Sequence, residues 1–182
     1  MVGVEVVRLG GDVDLLARAA AGERDSVREM LDVAGPVVYG FVFARVGGDT
    51  SVAEDIVQET FVEAVRSAPS FRGDAALTTW LCAIARHRIA RHYARERKQE
   101  VARAALTLID SDGEAAAVDE RDALVRALGA LSVLHRQVLV LKYLDGKSVS
   151  DIATELGRSR VQVQSLLQRA RDGLRRQLEG CE

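Results

Sequence analysis

The stretch SVSDIATELGRSRVQVQSLLQRARDGLRRQL, Ser148 to Leu178, decides the fold. Ser148 with Asp151 three residues on is a capping-box signature for a short helix to Leu156. Gly157 follows as a turn residue, and Ser159 caps a longer helix running to Leu178. On that helix Val163, Leu166, Leu167, Ala170 and Leu174 share one face, while Gln164, Ser165, Gln168, Arg169, Arg175 and Arg176 take the other. A short helix, a glycine turn and an amphipathic helix make a helix-turn-helix. The polar face has the composition for reading DNA, since glutamine pairs bidentately with adenine and arginine with guanine or phosphate. A solvated helical hairpin shares the outline, but caps, turn and Gln/Arg composition together favour DNA.

Working outward, apolar residues keep helical spacing and only Pro36 and Pro69 occur. The chain therefore reads as all-α, two small helical domains joined by a linker, the C-terminal one holding the helix-turn-helix. Asp12 or Asp14 opens a first helix to about Met30, Gly35-Pro36 interrupts it, and Val37 to Val46 continues. After the turn Gly47-Gly48-Asp49, Ser51 with Glu54 signals the next helix, which stops near Pro69. Ser70 to Asp74 is a loop, and a further helix carries Leu77 through Tyr93 into a basic run. Residues 99–118 lose periodicity and read as the linker between domains at 11–98 and 119–179. Helices resume from Asp119 to Ala130, and Ser132 caps another from Val133 to Leu144.

Among 182 residues, 48% are hydrophobic, enough for ordinary cores and too many for a disordered chain. No apolar run approaches the roughly 20 residues of a membrane span. Met1 to Gly11 carries Glu5 and Arg8 among valines and makes a poor signal peptide. With only Cys82 and Cys181, a disulfide framework is not expected, and the chain reads as cytoplasmic. The net charge of −2 excludes a protein that coats nucleic acid by bulk attraction. Sign alternates by block instead. Asp49 to Glu63 holds five carboxylates and no base, Arg86 to Arg103 is basic, Asp110 to Asp122 is acidic, and Arg158 to Arg176 is basic again.

Two of these blocks carry chemistry beside the helix-turn-helix. Arg86 to Lys98, with Trp80 and Tyr93, suits phosphates and unstacked bases, or equally a core with solubilising arginines. The helix after Ser51 leaves Asp55, Gln58, Glu59 and Glu63 on one side, a face that repels DNA and attracts a basic protein surface. Asp55, Glu59 and Glu63 at four-residue steps also have the spacing to hold a divalent metal, but no second acidic stripe or Glu-x-x-His supplies the remaining ligands. His87 and His92, five apart, lie on different helix faces. No phosphate loop, nucleophile elbow or Cys/His pair occurs, so no enzyme, no metal and no cofactor is expected.

The stretch AEDIVQETF from Ala53 to Phe61, then Phe71-Arg72-Gly73, Thr79-Trp80-Leu81 and Ile84-Ala85-Arg86, resembles the promoter-melting domain (region 2) of bacterial RNA polymerase sigma factors. LVLKYLDG from Leu139 to Gly146, Ile152-Ala153, Leu156-Gly157 and VQSLLQRAR from Val163 to Arg171 are similar to their −35-binding domain, region 4. Two such domains and a short linker look like the extracytoplasmic-function (ECF) group of the sigma-70 family, over nearly all of Asp12 to Leu178.

The resemblance implies an alternative sigma factor with three working surfaces. Asp55, Gln58, Glu59 and Glu63 would dock on the β′ coiled coil of core RNA polymerase. Phe71, Arg72, Gly73, Asp74 and Trp80, with Arg86, Arg88 and Arg91, would capture the −10 element as single strand. Arg160, Gln162, Gln164, Ser165, Gln168, Arg169 and Arg175 would meet the −35 element. It also implies control by an anti-sigma factor. Gln162 and Gln164 stand where the family often has Thr and a basic residue, and Leu166 replaces a frequent Arg, so the −35 preference is expected to be its own. Two alternatives stay open at this point: a helix-turn-helix regulator with a sensing or dimerising N-terminal half, and an all-α metal-dependent hydrolase.

Overall fold

The computed structural model describes residues 11–104 and 120–179. Its regular elements over those residues are all helical: α1 (Asp12–Ala20), α2 (Arg24–Phe43), α3 (Thr50–Arg66), α4 (Leu77–Ala104), α5 (Glu120–Gly129), α6 (Val133–Leu139), α7 (Val149–Leu156) and α8 (Arg160–Glu179). They form two compact units. One contains the described parts of Met1–Phe43 and Thr50–Ile89; the other contains Ala44–Asp49 and the described parts of Ala90–Glu182.

In the first unit α1, α2, α3 and the start of α4 bury Leu15, Leu16, Met30, Val38, Val42, Ile56, Phe61, Leu81 and Ile89. The helix boundaries differ from the expectation in two places. The first break falls at Gly22, whose φ of 88° ends α1, and not after Met30. Pro36 breaks nothing, because α2 runs through it from Arg24 to Phe43. Gly35 before it has no Cβ to collide with the proline ring, and the buried stripe Met30, Ala34, Val38 and Val42 holds the helix across the missing hydrogen bond. Ser51, expected as an N-cap, is the second residue of α3, since the helix starts at Thr50. Asp12 does more than open α1. Its Oδ2 accepts from the Leu77 N–H at 2.9 Å and so caps α4 from another element.

In the second unit α5 to α8 close around Leu128, Leu131, Val138, Ile152, Val163, Leu167 and Ala170. Ser132 precedes α6 without a side-chain cap bond, and after Leu139 the helix widens into a π turn over Val140–Leu144. Tyr93 of α4 is buried and its hydroxyl donates to the Arg45 carbonyl. Burial pushes that phenol well above its ordinary pKa, with Glu96 adding to the rise, so it stays a neutral donor. Arg136 Nη1 donates to the Val46 carbonyl at 2.9 Å, and Arg45 Nε to Asp145 Oδ1 at 3.0 Å. The Cα of Gly129 lies so near Gly47 that a Cβ would sit 2.6 Å from the Gly47 oxygen, so only glycine fits there. α4 continues to Ala104, into the stretch expected as linker; residues 105–118, and the N-terminal ten, lie outside the described residues.

Pro36 is exposed, so replacing it loses no burial. Pro36→Ala is expected to stabilise the chain by up to about 3 kcal/mol, the propensity gap between the two residues in a helix interior. A urea midpoint that falls instead would show that α2 needs the proline to pack.

Candidate functional site

The helix-turn-helix is built by local chemistry. Ser148 Oγ accepts from the Asp151 N–H at 3.1 Å while Asp151 Oδ2 accepts from the Ser148 N–H at 3.2 Å, a closed capping box at the start of α7. Ser148 Oγ also donates to Asp151 Oδ2 at 2.6 Å, and that bond first, then the one from the Ser148 N–H, holds the Asp151 carboxyl below its ordinary pKa. At the other end Gly157 adopts φ 62°, ψ 39°, with Arg158 N–H bonded to the Ala153 carbonyl at 2.9 Å and Gly157 N–H to Thr154 at 3.3 Å. That is a Schellman stop, and the left-handed glycine redirects the chain into α8.

A second reciprocal cap opens α8. Ser159 Oγ accepts from the Gln162 N–H at 3.2 Å, and Gln162 Oε1 accepts from the Ser159 N–H at 2.8 Å. Gln162, expected among the −35 contacts, thus spends its amide oxygen on the helix start. Gln164, Ser165, Gln168, Arg169 and Arg175 are exposed opposite the buried Val163, Leu166, Leu167 and Ala170, and Arg160 is exposed in the first turn. Arg169 Nε reaches back to its own helix at the Ser165 carbonyl, 3.4 Å, and Arg175 lies 3.9 Å from Asp172. Arg171, on the flank, donates to the Tyr143 hydroxyl at 3.3 Å.

In the first unit α3 exposes Glu54, Asp55, Gln58, Glu59 and Val62 along one side, with Glu63 half-buried. Arg88 of α4 crosses to this helix. Its Nη1 lies 3.3 Å from Glu59 Oε2 and its Nη2 lies 2.8 Å from Glu63 Oε2. Sequence reading set these residues on two different surfaces; the structure brings them together. Beside them lies an unexpected feature, an apolar groove of ≈ 570 Å³ between α2 and α3. Met30, Leu31, Tyr39, Val57, Phe61 and Val62 line it, and Glu54, Gln58 and Arg66 stand at its rim. Leu31 and Val62 are each more than two-fifths exposed, and the trace of the groove in the sequence is these apolar residues in excess of the buried stripes.

The loop from Ser70 to Asp74 follows a 3₁₀ turn over Ala68–Ser70. Phe71 is buried and packs tilted on Trp80 at 5.1 Å between ring centroids, whereas Arg72, Gly73 and Asp74 are exposed. Phe71 thus anchors the loop, and half-buried Trp80 is the aromatic of the pair that reaches solvent. Arg86 and Arg88 leave α4 on opposite flanks. The Arg86 guanidinium lies 5.4 Å over the Phe41 ring of α2, and exposed Arg91 follows one turn after His87. Among the described residues no cluster of three His, Cys, Asp or Glu side chains could hold a metal, and no helix is long and apolar enough to cross a membrane.

Comparison with known proteins gives a consistent answer. The family model Sigma-70 region 2 matches residues 32–99, and Sigma-70, region 4 matches residues 121–173. The ECF RNA polymerase sigma factor SigL of Mycobacterium tuberculosis H37Rv is 34% identical over 171 residues, covering 88% of this chain and 93% of SigL. SigC of the CDC 1551 strain is 31% identical over 163 residues, covering 88% of this chain and 87% of its own. The ECF sigma factor BldN of Streptomyces coelicolor is 30% identical over 165 residues, 87% of this chain but only 62% of BldN. A solved structure of RpoE with the anti-sigma factor NepR, from Bartonella quintana, aligns over 84% of this chain and 96% of that one, at 27% identity and a TM-score of 0.48.

The cap geometry makes a direct prediction. Ser159→Ala is expected to lower stability by about 1 kcal/mol in urea unfolding, the usual cost of an N-cap serine, and to fray the first turn of α8. Unchanged amide exchange at Val161 and Gln162 in that variant would contradict it.

Proposed function

The chain belongs to the ECF group of the sigma-70 family of RNA polymerase sigma factors, and from that premise we propose how its faces share promoter recognition. As a sigma factor it binds core RNA polymerase and directs it to promoters. The single observation that carries the division of labour is the segregation of charge by helix. α3 offers carboxylates beside an apolar groove, whereas the outward face of α8 offers amides and arginines.

Exposed carboxylates on α3 beside an apolar groove fit an amphipathic basic helix, and the β′ coiled coil of polymerase is the partner assigned to them. Asp55 and Gln58 are its exposed contacts. Glu59 and Glu63 take part as a set with Arg88, which neutralises part of their charge. For the −10 element, Arg72, Gly73 and Asp74 of the exposed loop meet an extruded base, Trp80 offers a ring edge, and Arg86 and Arg91 meet phosphates. Phe71 holds that loop from beneath. For the −35 element α8 enters the major groove with Gln164, Ser165 and Gln168 toward base edges, and with Arg160, Arg169 and Arg175 toward phosphates.

No covalent step is needed. Opening a duplex costs unstacking energy, and a site that binds only melted bases shifts that equilibrium by its differential affinity. The reading places the chain in the cytoplasm with the polymerase, needs no cofactor, and includes control by an anti-sigma factor. The weak net charge suits a subunit that binds DNA well only when polymerase holds both of its DNA-reading surfaces on one promoter.

Two experiments test the assignment. The double variant Asp55→Lys, Glu59→Lys is expected to weaken core-polymerase binding roughly a hundredfold, because like charges facing across an interface cost several kcal/mol. Titration by native gel reads this, and undiminished binding would remove α3 from the interface. At the other end, Gln164→Ala is expected to relax preference at one −35 position by about 1–3 kcal/mol, whereas Arg175→Ala weakens all promoters alike and lowers the salt slope by about 1. An equal loss on every promoter from the glutamine change would contradict base reading there.

A further inference from the structure

We infer that Val161 is a specificity-determining residue, making apolar contact with the 5-methyl group of a thymine at the −35 element. The inference rests on the reading of α8 as the −35-binding helix and adds a residue that neither motif nor charge singles out.

Val161 is 75% exposed, more than any other large apolar residue described. It is the second residue of α8, on the side opposite the buried stripe of Val163, Leu166, Leu167 and Ala170. At about 100° per residue it shares its stripe with Gln164, Ser165 and Gln168, which follow at three, four and seven positions. It therefore leads the row of side chains that faces the bases.

The fold gains nothing from a valine here. A β-branched side chain is a weak helix former, and this one buries little surface. The residues beside it are otherwise engaged. Gln162 caps the helix through its Oε1, and exposed Arg158 and Arg160 carry the charge that phosphates attract. Of the first turn, Val161 is the side chain left to meet a base edge, since the early residues of a recognition helix lie deepest in the major groove. The one apolar feature on that edge is the thymine methyl, which distinguishes T from C, A and G.

The test uses holoenzyme assembled from core RNA polymerase and either the wild-type chain or Val161→Ala. A promoter is selected from random duplexes with the wild-type holoenzyme. Each −35 thymine, on either strand, is then replaced singly by deoxyuridine, which pairs identically and lacks the methyl group. At one position the wild-type holoenzyme is expected to lose about fourfold in affinity, the factor that burial of one methyl carries, and the Val161→Ala holoenzyme is expected to lose none. The inference is overturned if no uracil substitution affects wild-type binding, if both holoenzymes lose equally, or if the selected element holds no thymine. Each of those outcomes leaves the sigma-factor reading standing. Failure of the wild-type chain to form a promoter-binding holoenzyme would overturn both, and it shows before any base is compared.

Discussion

The left-handed turn at Gly157 is the constraint on which the outward face of α8, the proposed DNA-reading surface, depends. α7 ends there in two backbone bonds, to Ala153 and Thr154, and α8 begins two residues later in a reciprocal Ser159–Gln162 cap. Between those fixed points there is no slack to rotate α8 about its axis. Val163, Leu166, Leu167 and Ala170 then lock the rotation from inside the core, so the residues opposite them face outward by geometry. A side chain at the turn would be strained whatever space surrounded it, because an L residue rarely adopts φ near 62°. Base reading tolerates little angular error, so on the proposed role of α8 the caps serve function as well as stability.

The second constraint is electrostatic. A protein that must hold an acidic polymer and a protein partner together has to keep the two attractions from competing. Here α3 and α8 carry opposite sign, and each buries one face and exposes the other. Arg88 is where the separation is incomplete. It neutralises Glu59 and Glu63 within the first unit, at 3.3 and 2.8 Å, and so tempers a face that would otherwise repel itself. The pair is partly exposed, so its stabilising effect is small, and its main effect is to fix where the two carboxylates point. In the proposed docking the groove beside them is the source of apolar contact that charge alone cannot give.

What was legible in the chain was what is local. Ser148–Asp151 and Gly157 each act within a few residues, and the structure shows both as the spacing implied. The wheel of α8 was readable for the same reason, because its buried and exposed faces follow directly from the 3.6-residue period. What escaped was long-range or context-bound. The Asp12 cap on Leu77 and the Arg88 bridge to Glu59 and Glu63 join residues 25 to 65 apart, which no periodicity encodes. Pro36 looked like a break because propensity says so, yet the packing around Ala34 and Val38 overrides it. Phe71 stands among the −10 residues by resemblance alone, and its burial against Trp80, which no local pattern announces, makes it the anchor of that loop. Gln162 sat among plausible base contacts, and only its partner at Ser159 reveals the other use of a glutamine at the third helical position.

A sigma factor gives polymerase a choice of start sites. Run-off transcription with purified core RNA polymerase on genomic fragments measures that directly. Discrete transcripts, each beginning downstream of a shared sequence pair and absent when the chain is omitted, are the expected result. Transcription whose start sites are the same with and without the chain would contradict it.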